Sequence, residues 1–67
     1  MFYIAFMEEG ILYLYPKRLG PWVTSKGEAK RLFSLRSAQL LANEVLADGV
    51  EGVFIIAGDP DGVSREV

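Results

Sequence analysis

Apolar and aromatic residues fill positions 2–7, Phe-Tyr-Ile-Ala-Phe-Met, and again positions 11–15, Ile-Leu-Tyr-Leu-Tyr, with Glu8-Glu9-Gly10 between them. Two short runs of branched and aromatic side chains around a glycine turn predict a β-hairpin. The loop length decides which side chains share a face, because a shift of one residue turns a strand over. A two-residue loop, Glu9-Gly10, sets Tyr13 and Tyr15 beside Ile4 and Phe6. A three-residue loop with Gly10 in the left-handed conformation sets Phe2, Ile4, Phe6, Leu12 and Leu14 on one face. Tyr3, Ala5, Met7, Ile11, Tyr13 and Tyr15 then share the other. The second register is the expected one, since it separates a hydrocarbon face from one whose phenols reach water or a partner.

Residues 16–33 lack a clear period and are punctuated by Pro16, Gly20-Pro21 and Gly27. Trp22-Val23-Thr24 has the composition of a short third strand, and Ser25–Leu32 that of a helical turn leading to Phe33. Ser34 then supplies a hydroxyl able to accept a backbone N–H two or three residues on, so a helix of about 14 residues starts there. At 100° per residue, Leu35, Ala38, Leu41, Ala42, Val45 and Leu46 fall within one arc, and Gly49 stands past the end as a C-terminal cap. Leu40 lies opposite the stripe, so it is expected to be exposed. Val53–Ala57 reads as a strand returning under the helix. Asp59-Pro60-Asp61-Gly62 reads as a turn, and Val63–Val67 as a frayed tail or weak edge strand.

The order ββ-loop-αβ predicts an α+β fold, a small two-layer sandwich with an antiparallel sheet of three to four strands and one helix on one face. Pairing of the last strand with the first gives the order 2-1-last. The expectation is one domain over residues 1–67, with 58–67 a turn and a weakly ordered tail.

Composition narrows the chemistry. The 67 residues include no cysteine and no histidine, which excludes thiolate–imidazole zinc sites, iron–sulfur clusters and Ser-His-Asp triads. Asp59-x-Asp61-Gly62 begins like a calcium loop, but the next alternate position is Val63 and no bidentate Glu follows at the right spacing. Ser34 and Ser37 have no imidazole to activate them, and Glu8 and Glu9 sit at a solvated hairpin tip. No cofactor, no metal and no enzymatic activity are therefore expected. The longest uninterrupted apolar run after the hairpin is Val53–Ala57, far short of the roughly 20 residues that span a bilayer. With no basic segment ahead of the first apolar residues, the expectation is a soluble, cytoplasmic protein without a secretory signal.

The Gly10-Ile11-Leu12-Tyr13-Leu14 turn and strand, the Trp22-Val23-Thr24 stretch and Glu28-Ala29-Lys30-Arg31-Leu32-Phe33-Ser34 running into a helix together resemble the small ββαβ proteins of phage and prophage genomes. The resemblance covers about residues 2–57. That group is largely of unknown function and implies no catalytic residues. It implies a phage or mobile-element origin, hence the host cytoplasm and a role in binding and modulating a host protein.

Charge is unevenly spread. Residues 17–36 hold Lys17, Arg18, Lys26, Lys30, Arg31 and Arg36 against Glu28 alone, a formal +5, which leaves −7 for the remainder of a chain of net −2. A basic segment of this kind serves an acidic partner or is simply a solvated surface paired with Glu44, Asp48 or Glu51. With Tyr3, Tyr13, Tyr15 and Trp22 as large amphipathic contacts and Lys17, Arg18, Lys30 and Arg31 as the basic set, the leading expectation is a non-catalytic protein-binding module. Stacking of single-stranded nucleic acid on the tyrosines is the alternative, disfavoured by a sequence pI near 4.9. A structural subunit of a larger assembly is the third. Finally, one helix covers one sheet face, so Tyr3, Met7, Ile11, Tyr13 and Tyr15 are left without an obvious cover, which predicts a homodimer through that face or an adjoining edge, the alternative being that the residue 16–33 segment covers it.

Overall fold

The computed structural model describes residues 1–58. Strand β1 (Phe2–Glu8) and strand β2 (Ile11–Leu14) form the hairpin, with Ala5 opposite Leu14, Phe6 opposite Tyr13 and Glu8 opposite Ile11. The loop is therefore two residues long, and both of them lie at positive φ, 52° for Glu9 and 80° for Gly10. Two such residues make a type I′ turn, whose twist matches that of the flanking strands. This corrects the expected three-residue loop. Phe2, Ile4, Phe6, Tyr13 and Tyr15 share one face, and Leu12 and Leu14 join Tyr3, Ala5 and Met7 on the other.

Strand β3 (Phe54–Ala57) pairs antiparallel with β1, Tyr3 opposite Ile56 and Ala5 opposite Phe54, and the sheet order is β2-β1-β3. Helix α1 (Leu35–Ala47) lies across β1 and β3 on the Phe2–Ile4–Phe6 side. The result is the expected α+β sandwich, three antiparallel strands and one helix. Local chemistry sets the ends of α1. The Ser34 hydroxyl oxygen accepts from the Ser37 N–H at 3.1 Å, satisfying one of the orphan amides of the first turn. At the other end the Gly49 N–H donates to the Leu46 carbonyl and the Val50 N–H to that of Val45. With Gly49 at φ 100°, these bonds form a Schellman motif.

Ala38, Ala42 and Val45 are buried and Leu41 is half-buried, whereas Leu35 and Leu46, expected in the buried stripe, are each 48% exposed. The alanines bring the helix close to a narrow sheet, so only the middle of the apolar arc meets it. Leu40 is exposed, as its position opposite the stripe requires.

The core has two parts. On the helix side Ile4, Leu32, Ala38 and Ala42 are buried, with Phe2, Tyr15, Trp22 and Ile55 packed around them. On the opposite side Tyr3, Ala5, Leu14, Ala29 and Ile56 form a second buried cluster, joined by Leu12 and Val23. The second face is thus covered over Tyr3, Ala5, Leu14 and Ile56 by the chain's own irregular middle, while Met7 and Phe54 on the same face stay exposed. Trp22-Val23-Thr24 contributes a single bridge, Leu14 to Val23, instead of a strand. The helical turn expected over Ser25–Leu32 is a 3-10 turn limited to Lys26–Glu28, and Phe33 beyond it is 81% exposed. The turn and tail expected over residues 59–67 lie outside the described residues. Among the described residues no helix is long and apolar enough to cross a membrane.

Candidate protein-binding surface

Pro16 has no N–H to extend the ladder, so β2 ends its regular pairing near Tyr15, whose own N–H still donates to the Ile4 carbonyl at 2.8 Å. The chain leaves the sheet and comes back at Val23, which exchanges two hydrogen bonds with Leu14 of 2.7 and 2.9 Å. Those bonds close the base of a loop. The Lys17 N–H to the Glu28 carbonyl (3.0 Å) and the Lys30 N–H to the Tyr15 carbonyl (2.8 Å) tie the returning segment to the strand end. Beyond these ties residues 17–21 are exposed, and Leu19 is fully so.

Trp22 sits where the loop rejoins the body. Its ring meets Phe6 edge-on at 4.7 Å between centroids and Tyr15 at 5.4 Å. Phe6 in turn stacks on Tyr13 at 5.1 Å. Contacts of this kind add about 0.5–1.5 kcal/mol each beyond the area they bury. They fix the loop against the part of the sheet that α1 does not reach, because the helix packs on β1 and β3. Between loop and helix runs a groove of about 300 Å³ lined by Tyr15, Lys17, Arg18, Trp22, Lys30 and Leu41. On the other flank of the loop Pro16, Arg18, Leu19, Pro21, Val23 and Glu28 line a cleft of about 430 Å³.

Five of the eight residues singled out from the sequence, Tyr15, Trp22, Lys17, Arg18 and Lys30, meet at the groove. Tyr13 is tied to it through Phe6. Tyr3 and Arg31 are not part of it: Tyr3 is on the opposite face, 5% exposed, and lines with Arg31, Lys26 and Met1 a separate cleft of about 410 Å³. The three tyrosines therefore do not form one surface, since the hairpin register puts Tyr3 opposite in facing to Tyr13 and Tyr15. Sequence reasoning missed Leu19 and Leu41. Leu19 carries a readable signal, a lone apolar residue between two cations and a Gly-Pro turn. Leu41 carries no signal beyond its place in the helix stripe.

The groove offers cations, aromatic edges and apolar side chains. Among its described lining residues there is no carboxylate and no serine, and the described residues hold no cluster of three or more metal-ligating side chains. Such a lining suits an anionic group next to an apolar one. No family model, characterised protein or solved structure matches this chain.

Proposed function

We propose that this chain is a non-catalytic protein-binding module that engages an acidic, apolar-anchored segment of a larger protein through the residue 16–22 loop and the groove beside it. The convergence of Lys17, Arg18 and Lys30 around Trp22, Tyr15 and Leu41 is the observation that carries the reading. Aromatic residues and arginine dominate binding energy in protein interfaces, and rim cations raise the on-rate toward an acidic partner. The resemblance of residues 2–57 to phage and prophage proteins makes a host protein the partner we favour. Stacking of unpaired bases on the tyrosines fits less well, because Tyr3 is buried on the face opposite Tyr13 and Tyr15 and the net charge is −2.

Affinity purification with a tagged chain tests this. In low salt the native protein should recover a stoichiometric partner, and the double variant Lys17→Glu/Arg18→Glu, which reverses two exposed charges, should lose it. Equal recovery by both would reject the groove. A mobility assay with single-stranded DNA and RNA should show no shift at high micromolar protein; a shift that weakens steeply with salt would favour nucleic acid instead.

A further inference from the structure

Among the described residues the outer edge of β3 has no strand beside it, and the phase of its ladder can be read from its neighbours. Gly58 donates to the Met1 carbonyl, Phe2 exchanges its bonds with Leu32, and the Ile4 carbonyl accepts from Tyr15. In an antiparallel pair, residues alternate between facing the partner strand and facing away. Phe54 and Ile56 therefore direct their backbone groups at β1, and Ile55 and Ala57 direct theirs outward. Among the described residues, no hydrogen bond is made to those outward groups. The edge also lacks the usual protection, since Val53–Ala57 carries no charge, no proline and no bulge, and glycines flank it at 52 and 58. Phe54, on the face away from the helix, is 43% exposed there.

We infer that β3 pairs with β3 of a second copy, extending the sheet to β2-β1-β3-β3-β1-β2 across a two-fold axis. Self-pairing about Ile55 uses the whole apolar run: Ile55 faces its own equivalent, Val53 faces Ala57 and Phe54 lies beside Ile56 of the second copy. Every outward amide and carbonyl of the run then has a partner, and two identical uncharged strands meet without like-charge repulsion between them. The symmetry keeps both helices on one side of the joined sheet and leaves both loops at its far ends, clear of the new contact. An isologous contact of this type closes at two copies. The inference stands apart from the groove and does not depend on what binds there.

Hydrogen exchange read at single amides, together with sedimentation from micromolar to millimolar protein, tests it. The expected mass rises toward twice 7.4 kDa, and protection at the Ile55 and Ala57 amides rises with it. Ala57→Pro removes an outward N–H without touching the β1 ladder, and Phe54→Lys puts a charge on the edge; each should hold the mass at one chain with the circular dichroism of the native fold. A single-chain mass at millimolar protein, or a dimer in which the Ile55 and Ala57 amides exchange at unprotected rates, would overturn the inference. So would a folded variant that still dimerises. Should both variants fail to fold, the exchange data on the native chain decide alone.

Discussion

The two faces of the sheet are closed by different means. On one, a regular helix presents Ala38, Ala42 and Val45, and its own ladder satisfies its backbone. On the other, Ala29 and Val23 come from a segment with only a short 3-10 turn, and its backbone is satisfied through long-range bonds to Phe2, Leu14 and Tyr15. The helix would keep its internal bonds if it moved; the segment would lose nearly all of those bonds at once. Burying polar backbone requires partners, so the irregular cover is held to one position by the strands it touches. It also carries the exposed loop, and the groove beside that loop is lined by Tyr15, Trp22 and Leu41 of the helix-side cluster, so the candidate binding surface lies where the two covers meet.

Two buried residues make the comparison directly, Ile4 under the helix and Leu14 under the segment, 0% and 2% exposed. Each change to alanine should cost about 2–5 kcal/mol in urea unfolding, comparable with the roughly 3–5 kcal/mol that a core of this size supplies. A cost below about 1 kcal/mol at Leu14 alone would mean that the segment only drapes over the sheet. Smaller effects follow from overfilling the two covers. Ala38→Leu and Ala29→Leu should each cost about 1–3 kcal/mol, the first by lifting a helix and the second by displacing the segment. Tryptophan fluorescence separates them, and the Trp22 signal should change more with Ala38→Leu, because Trp22 packs with the helix-side cluster.

The helix, its serine cap, its Gly49 stop and the strand order were legible because their signals are local: a 3.6-residue period, a hydroxyl, a glycine and a short branched run. The cover formed by residues 22–32 was not, because its bonds join residues far apart in the chain, Leu14 with Val23 and Phe2 with Leu32. The hairpin register was missed for a different reason. A type I′ turn usually places Asn, Asp or Gly at its first central position, and here Glu9 occupies it at φ 52°. That error moved Leu12, Leu14, Tyr13 and Tyr15 to the wrong faces, and with them the expected tyrosine surface. The site itself was half legible, since five of its residues were named from charge and aromatic content while their grouping came only with the fold.

The turn also yields the smallest predicted effect. A non-glycine residue in the left-handed region is strained by roughly 1–2 kcal/mol, less for Asn, so Glu9→Asn should raise stability by about 0.5–1 kcal/mol. The shift in urea midpoint reads it. No gain, or a loss, would favour a longer loop and the exchanged faces that go with it.

Trypsin tests the closure of the second face most directly, because the segment supplies its own cleavage sites. Arg18 lies in the exposed loop, whereas Lys30 and Leu32 donate backbone hydrogen bonds of 2.8 and 2.9 Å to Tyr15 and Phe2. Under native conditions, mass spectrometry of a digestion time course should show the Arg18–Leu19 bond cut first, with the Lys30–Arg31 and Arg31–Leu32 bonds cut only at the rate of unfolding. Cleavage after Arg31 as fast as after Arg18, in a chain whose helix stays intact, would contradict a docked segment and leave the second face open.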